Sequence, residues 1–319
     1  MKLLLTGACG DIADSLCRIA HDVWSDVQVH GAESSGERWP LHNGFAQLHR
    51  LPGGSHADYF SALRALQERE RYDLIVPVTD AELWTLAQRP RADLPLLAVA
   101  AIWLQRCLDK AETPAWLASI GLPALVTTSL AESAQLAMPM IVKPRRGHGS
   151  RGLEVVHDSA RLQVLRAMHA ASEEYLAQQY VGVMGDEFTC CVYRRAATGE
   201  MRTIALRREM QGGLTGRATV EHVPVIDALL RRIGEAGDLD GSINVQLRFV
   251  ASQPWVFEIN PRFSSTVMMR HRLGFRDFVW SVEARRNGRS PEAWNAPVGA
   301  RVFRLARELV IPVAGEDAT

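Results

Sequence analysis

The sequence predicts an α/β protein whose architecture turns to α+β after its first third. Three observations carry that reading. Over about the first hundred residues, short apolar runs alternate with helical stretches, a pattern that builds a parallel sheet with helices on its faces. Near residue 120 the texture changes to short paired strands around a Gly-rich loop. From Glu187 onward, long antiparallel-looking runs dominate.

The elements follow in order. Lys2 to Leu5 reads as a buried strand, Asp11 to Val23 as a helix and Gln28 to His30 as a short strand; His56 to Glu70 is a helix and Leu74 to Val78 a strand. Leu96 to Val99 is expected to add an edge strand. Ile102 to Ile120 is helical, with Pro114 in the first turn of a second helix after Thr113, where a missing amide costs little. Met140 to Val142 is a strand entering the loop RRGHGSRG, Leu153 to Val156 is its hairpin partner, Ser159 to Ala171 is a helix and Tyr175 to Tyr180 a strand. The antiparallel runs are Phe188 to Arg194, Met201 to Arg207, Ile243 to Val250 and Trp255 to Ile259, with a helix at Val225 to Ala236. The small, acidic tail after Pro312 is expected to fray.

Composition narrows the function. With 319 residues and 47% hydrophobic content the chain can bury a sizeable core over roughly two domains, which excludes intrinsic disorder. Lys+Arg and Asp+Glu both number 36, so the chain lacks the cation surplus of a general polyanion binder, and no nucleic-acid partner is expected. Apolar runs such as Leu94 to Leu104 fall short of the roughly 20 residues a membrane helix needs. The opening MKLLLTGACGD turns polar at Thr6, before a signal-peptide core is complete, and secretion is not expected. Five scattered cysteines without CxxC suggest neither a disulfide framework nor a zinc site, and fit a reducing cytoplasm. Of the 36 cations only Lys2, Lys110 and Lys143 are lysine, which directs attention to the two in mid-chain.

Three segments could carry chemistry. Thr6 to Ala13 follows a strand and opens a helix with a GxxGxxA pattern; its amides could cradle an anion, or it could be a tight turn that lets the helix pack. A short-chain oxidoreductase also begins this way but needs a YxxxK pair, and none of the five tyrosines has a lysine four residues on. The second segment, Ile141 to Gly152, delivers Lys143 from a buried strand into three glycines whose amides can fold over phosphates, flanked by Arg145, Arg146, His148 and Arg151. It is not a P-loop, which places its lysine after the glycines and runs into a helix. The third pairs Gly241 to Gln246 with Trp255 to Thr266. Residues two apart on a strand share a face, so Glu258 and Asn260 point together while Phe257 and Ile259 face the core, and Gln246 can join them across a hairpin. Carboxylate and amide oxygens suit magnesium. Arg262, two further on, could neutralise a transferring phosphoryl group.

Together, Lys110, Lys143 before its Gly-rich hairpin, GSINVQ and EINPRFSS resemble the ATP-grasp superfamily, and within it the carbamoyl phosphate synthase large-subunit type. The resemblance runs from about Met1 to Gly288 and includes Pro77-Val78-Thr79-Asp80-Ala81-Glu82-Leu83. It implies a pre-ATP-grasp α/β domain at 1–105, a linker helix and small lid at 106–180, and a C-terminal lobe at 181–319 that makes the fold two-lobed. Lys110 and Lys143 would contact ATP phosphates, with Lys143 also near adenine, and the loop bearing Gly147, Gly149 and Gly152 would close over them. The hinge Gln178 to Val181 would hold adenine by its backbone. Gln179 stands where many relatives have a ribose-binding glutamate, so that contact would be weaker or would pass to Glu187. Gln246, Glu258 and Asn260 would hold magnesium, with two ions expected, and Arg262 would face the transferred phosphate. Arg207 and Arg208 are either further clamps on a substrate carboxylate or exposed strand cations.

The implied activity is an ATP-dependent carboxylate-amine ligase that works through an acyl phosphate and releases ADP and phosphate. Its partners would be a small carboxylate and an amine, with no membrane and no nucleic acid; a homodimer stays open. The chain carries a single such unit, so a complete carbamoyl phosphate synthase is not expected, and Leu214 stands where that family places a histidine, which weighs against bicarbonate chemistry. Two alternatives remain: a nucleotide-binding regulator without turnover, and a carboxylase or phosphotransferase on the same fold.

Overall fold

The computed structural model describes residues 1–89, 93–147, 152–169 and 174–305. The first sheet is parallel, in the order β3-β2-β1-β4, from β1 (Lys2–Thr6), β2 (Gln28–Glu33), β3 (Gln47–Arg50) and β4 (Leu74–Val76). Leu3, Leu4 and Leu5 are fully buried because both faces are covered. Helix α1 (Asp11–Val23) buries Leu16 and Ile19 on one face, and α2 (Tyr59–Glu70) buries Leu63 and Leu66 on the other. Helix α3 (Asp80–Ala87) starts at a capping box in which Thr79 and Glu82 satisfy each other's backbone amides.

The expected edge strand at Leu96 to Val99 does not form: only Leu96 pairs, in a single parallel bridge to Ile75. Pro95 and the turn toward α4 (Ala101–Leu108) take the run out of the sheet, and its side chains pack as a seam instead. Helix α5 (Glu112–Ser119) carries Pro114 in its first turn as expected, although Ala111, not Thr113, caps it.

Next comes a small antiparallel sheet of order β5-β8-β6-β7, built from β5 (Thr127–Ser129), β6 (Met140–Pro144), β7 (Glu154–Val156) and β8 (Tyr175–Gln179), with α6 (Ser159–Met168) packed on it. The large sheet has the order β13-β12-β9-β10-β11-β14. Its strands are β9 (Glu187–Arg194), β10 (Met201–Gln211), β11 (Leu214–Glu221), β12 (Gly241–Val250), β13 (Gln253–Asn260) and β14 (Arg301–Phe303). Gly212 and Gly213, both at positive φ, make the tight turn that lets β10 run on past Arg207 into β11. Helix α7 (Pro224–Ala236) covers one face with Ile226, Leu230 and Ile233, while α8 (Val267–Arg272) and α9 (Asp277–Asn287) join the large sheet to the first.

One irregularity shapes the site. Gln246 pairs with Glu258 but Leu247 pairs with Val256, so Phe257 is an extra residue bulged out of β13. Strict alternation therefore fails: Val256 and Ile259 are the core residues, at 2% and 1% exposure, and Phe257 faces a cleft rather than the core.

Candidate active site

A cleft of about 350 Å³ lies between the small sheet and the large one. Ile141 and Val155 form one apolar wall, and Trp255, Phe257 and Met210 form part of the opposite wall. Lys110, Lys143, Gly147, Gln179, Val181, Glu187, Arg208, Gln246 and Glu258 all line it. These residues come from segments far apart in sequence and are brought together by two strand ladders and the turn between α4 and α5.

Lys143 extends from β6 and is 5% exposed. Its Nζ donates to Gln178 Oε1 at 2.8 Å and to the Phe257 carbonyl at 3.3 Å, so the bulge supplies one of its acceptors. Burial pushes its ammonium down to about 8, against the opposing pull of Glu258 and with a smaller push from Lys110. Lys110 Nζ donates to the Gly147 carbonyl at 2.7 Å, and its amide donates to Arg145 O at 3.1 Å. Asp109 accepts from Arg145 Nε at 2.8 and 3.0 Å, which pins the start of the Gly-rich loop to the helix junction. Gly147 and Gly152 both have positive φ; Gly149, with residues 148–151, lies outside the described residues. Gly152 sits beyond the cleft lining, where a Cβ would come within 3.1 Å of Pro144 Cγ and Tyr175 Oη.

Glu187 is buried between two arginines. One oxygen accepts from Arg208 Nη2 at 2.9 Å, and the other from Arg248 Nη2 at 2.8 Å. Both oxygens are thus engaged in ion pairs, unlike a carboxylate held free for ribose hydroxyls. Arg208 also donates to Gln246 Oε1 at 3.2 Å, while Arg248 donates to the Val181 carbonyl at 2.9 Å and lies 4.8 Å over the Tyr180 ring. Gln179 accepts from the Val126 amide through its side chain at 3.3 Å.

On the β12–β13 ladder Gln246 faces Glu258, and Asn244 faces Asn260. Glu258 and Asn260 flank the core residue Ile259; Glu258 lines the cleft, while Asn260 is buried and is not part of its lining. The set is one carboxylate and two amide oxygens, chemistry that fits a hard divalent cation. A positive group, Arg208, already rests on the Gln246 oxygen, as a cation-accepting position allows.

Two residues singled out in the sequence lie elsewhere. Adjacent strand residues point to opposite faces, so Arg208 enters the cleft while Arg207 turns away, paired with Glu221 at 2.6 Å and set 4.6 Å over the Phe188 ring. Arg262 is ion-paired to Asp80 at the head of α3, Nε to Oδ1 at 2.7 Å. It lines a second cavity, of about 300 Å³, together with Arg195, Arg285, Ser242 and Phe263. The turn Thr6 to Ala13 closes on itself through Gly10 N to Gly7 O at 2.8 Å, and Glu33 accepts from the Cys9 amide at 3.0 Å and the Ser34 amide at 2.7 Å. Those backbone bonds outweigh burial and hold the Glu33 carboxyl below its usual range. The sequence reading passed over Arg248; its place two residues after Gln246 on one strand is the signal that would have found it.

Known proteins give the same outline. A family model described as ATP-grasp in the biosynthetic pathway with Ter operon matches residues 171–307. The N5-carboxyaminoimidazole ribonucleotide synthetase of Thermus thermophilus superposes with a TM-score of 0.70 at 18% identity, over 89% of this chain and 78% of that one. The L-amino acid ligase of Bacillus licheniformis gives 0.71 at 17% identity, over 89% and 73%. A biotin carboxylase of Campylobacter jejuni gives 0.70 at 11%, over 94% and 74%. The uncharacterized protein y4rH of Sinorhizobium fredii (strain NBRC 101917 / NGR234) is 27% identical over 183 residues, 50% of this chain. That match spans 37% of the relative's length. Among the described residues no helix is long and apolar enough to cross a membrane.

Proposed function

We propose that the chain, which matches an ATP-grasp family model over residues 171–307 and shares its fold with solved ligases, is an ATP-dependent carboxylate-amine ligase that forms an acyl phosphate and releases ADP and phosphate. One observation supports this most: a cleft in which a buried ammonium, Lys143, lines the same space as Gln246 and Glu258 on paired strands, with Asn260 two residues along the strand from Glu258. In this reading residues 1–105, 106–180 and 181–319 act as the N-terminal unit, the lid and the main lobe. The apolar walls take the adenine near the Gln178 to Val181 hinge, and Lys110 and Lys143 bind phosphate oxygens.

Gln246, Glu258 and Asn260 would hold magnesium, two ions in this reading, and the metal would neutralise charge on the transferred phosphoryl group. The protein's own residues position and exclude water, which is most of what phosphoryl transfer asks of them. Arg208, already placed over Gln246 in the cleft, reaches the phosphate end. Arg262, held by Asp80, orients the substrate carboxylate from the second cavity, where Arg195 and Arg285 add positive potential. Glu187 fixes Arg208 and Arg248 rather than ribose.

A second reading, a carboxylase on this fold, draws on the likeness to N5-carboxyaminoimidazole ribonucleotide synthetase and biotin carboxylase. ADP release across a panel of carboxylates and amines, with and without bicarbonate, distinguishes them. Release that needs both a carboxylate and an amine supports the ligase. Release that needs bicarbonate and one acceptor supports the carboxylase, and none above background would leave a nucleotide-binding regulator.

A further inference from the structure

Within the first sheet, away from the cleft, three buried polar side chains meet. His30 Nδ1 lies 3.2 Å from His49 Nε2 and 3.1 Å from the Tyr72 hydroxyl, which is itself 2.9 Å from His49 Nε2. They come from β2, β3 and the turn into β4, and are 6%, 8% and 3% exposed. Three charged groups surround them. Lys2 of β1 and Arg69 of α2 both bond the Glu70 carboxylate, at 2.8 and 3.0 Å. Lys2 Nζ also stands 5.0 Å over the Tyr72 ring, and Arg69 Nη2 is 3.4 Å from His49 Nδ1.

The hydrogens in this cluster have one consistent arrangement. A guanidinium can only donate, so His49 Nδ1 accepts from Arg69 and its Nε2 carries the hydrogen. His49 Nε2–H then donates to the Tyr72 oxygen, and the Tyr72 hydroxyl donates to the lone pair on His30 Nδ1. The relay runs one way, and both rings are neutral. His30, His49 and Glu70 are close enough to suggest a metal site, but His49 Nε2 has no lone pair to offer in this arrangement.

A proton has no comfortable place here. On His49 it would set an N–H against the Arg69 guanidinium. On His30 it would leave the Tyr72 hydroxyl, buried and already accepting from His49, without its acceptor. Beyond the relay, β2 ends at Glu33 and β3 leads into Leu51 to Gly54, and both stretches line a hollow of about 50 Å³ at the top of the sheet with Gly7 and Glu82. None of the relay residues lines the nucleotide cleft.

We propose that the His30–Tyr72–His49 relay is an acid-sensitive latch: protonation of either ring frees the β2–β3 edge of the first sheet and loosens the Glu33 rim, while the cleft stays intact. Burial is the main cause that lowers the pKa of both rings. Lys2 adds to it at both, His49 at His30 and Arg69 at His49, and Glu70 opposes it. The sign follows from linkage. With the folded values below the ordinary 6.5 or so, the latch is complete above about pH 6.5 and is lost as pH falls below it.

The test is amide exchange of the full chain at pH 7.5 and 5.0, corrected for intrinsic rates, on the native sequence and on the double variant His30→Asn, His49→Gln. The asparagine oxygen replaces the Nδ1 acceptor, the glutamine amide replaces the Nε2 donor, and neither titrates. Expected is a loss of protection of about tenfold or more at Gln28–Glu33 and Gln47–Arg50 in the native protein at pH 5.0, relative to Gly241–Val250, and no such loss in the variant. Unchanged protection in the native protein, or an equal loss in the variant, would overturn the latch. If the variant does not fold, ring NMR of the native protein decides. Both rings should be neutral and titrate below about 6.5; titration at or above the ordinary value overturns the proposal.

Discussion

Glu187 and Arg208 form a buried ion pair at 2.9 Å in the cleft between the small and large sheets, and Arg248 closes the other side of the same carboxylate at 2.8 Å. Removing a shared partner leaves two desolvated guanidinia facing each other. Glu187→Ala should therefore lower folding stability by about 3–5 kcal/mol, read from urea denaturation midpoints. A loss below about 1 kcal/mol would mean that the carboxylate is not holding the arginines, and would return it to a ligand-binding role.

Lys143 gives a pH signature. Bound phosphate favours its ammonium and raises a free-protein pKa of about 8, so nucleotide affinity is complete below pH 8 and weakens above it, by up to about tenfold per unit. Calorimetry in buffers of different ionisation enthalpy should detect proton uptake at pH 8.5. Lys143→Met should weaken ATP by about ten- to a hundredfold and abolish the slope. A slope that survives the substitution would assign it to another group.

Glu258→Gln keeps the shape of the donor set and removes its charge. ADP formation should fall by about a hundredfold or more while ATP analogue binding persists in part. Near-normal turnover with an identified substrate would remove Glu258 from the metal site.

ATP with magnesium should stabilise the fold by about 2.7 kcal/mol at one hundred times the dissociation constant. A melting curve that does not move with millimolar nucleotide and magnesium would contradict binding at the cleft.

Much of this was legible because burial writes a period into the sequence. The uniformly apolar LLL of β1, the helix of α1 and the ladder GSINVQ with EIN emerge where expected, and the ATP-grasp fold with them. Elements whose hydrophobic signal is weak were missed. β3, QLHR, is a polar edge strand, and β11, LTGRATVE, is short of large apolar residues and carries two charges. The Phe257 bulge breaks period-2 reading by one residue and turned a core expectation into a cleft wall. Pairings such as Arg262 with Asp80, 182 residues apart, depend on how the first sheet meets the large one, which no local pattern encodes. The double use of Glu187 was hidden for the same reason: Arg208 and Arg248 sit on strands either side of β9, and only the sheet order makes them neighbours.

A crystal structure with magnesium and a non-hydrolysable ATP analogue decides whether the cleft between the small and large sheets is the nucleotide site. The account predicts adenine against Ile141 and Val155 beside the Gln178 to Val181 hinge. It predicts phosphates in contact with Lys110 and Lys143, and metal within bonding distance of Glu258 and Asn260, with Gln246 released from Arg208. Nucleotide bound elsewhere, or a cleft empty of it at saturating analogue, would contradict the account.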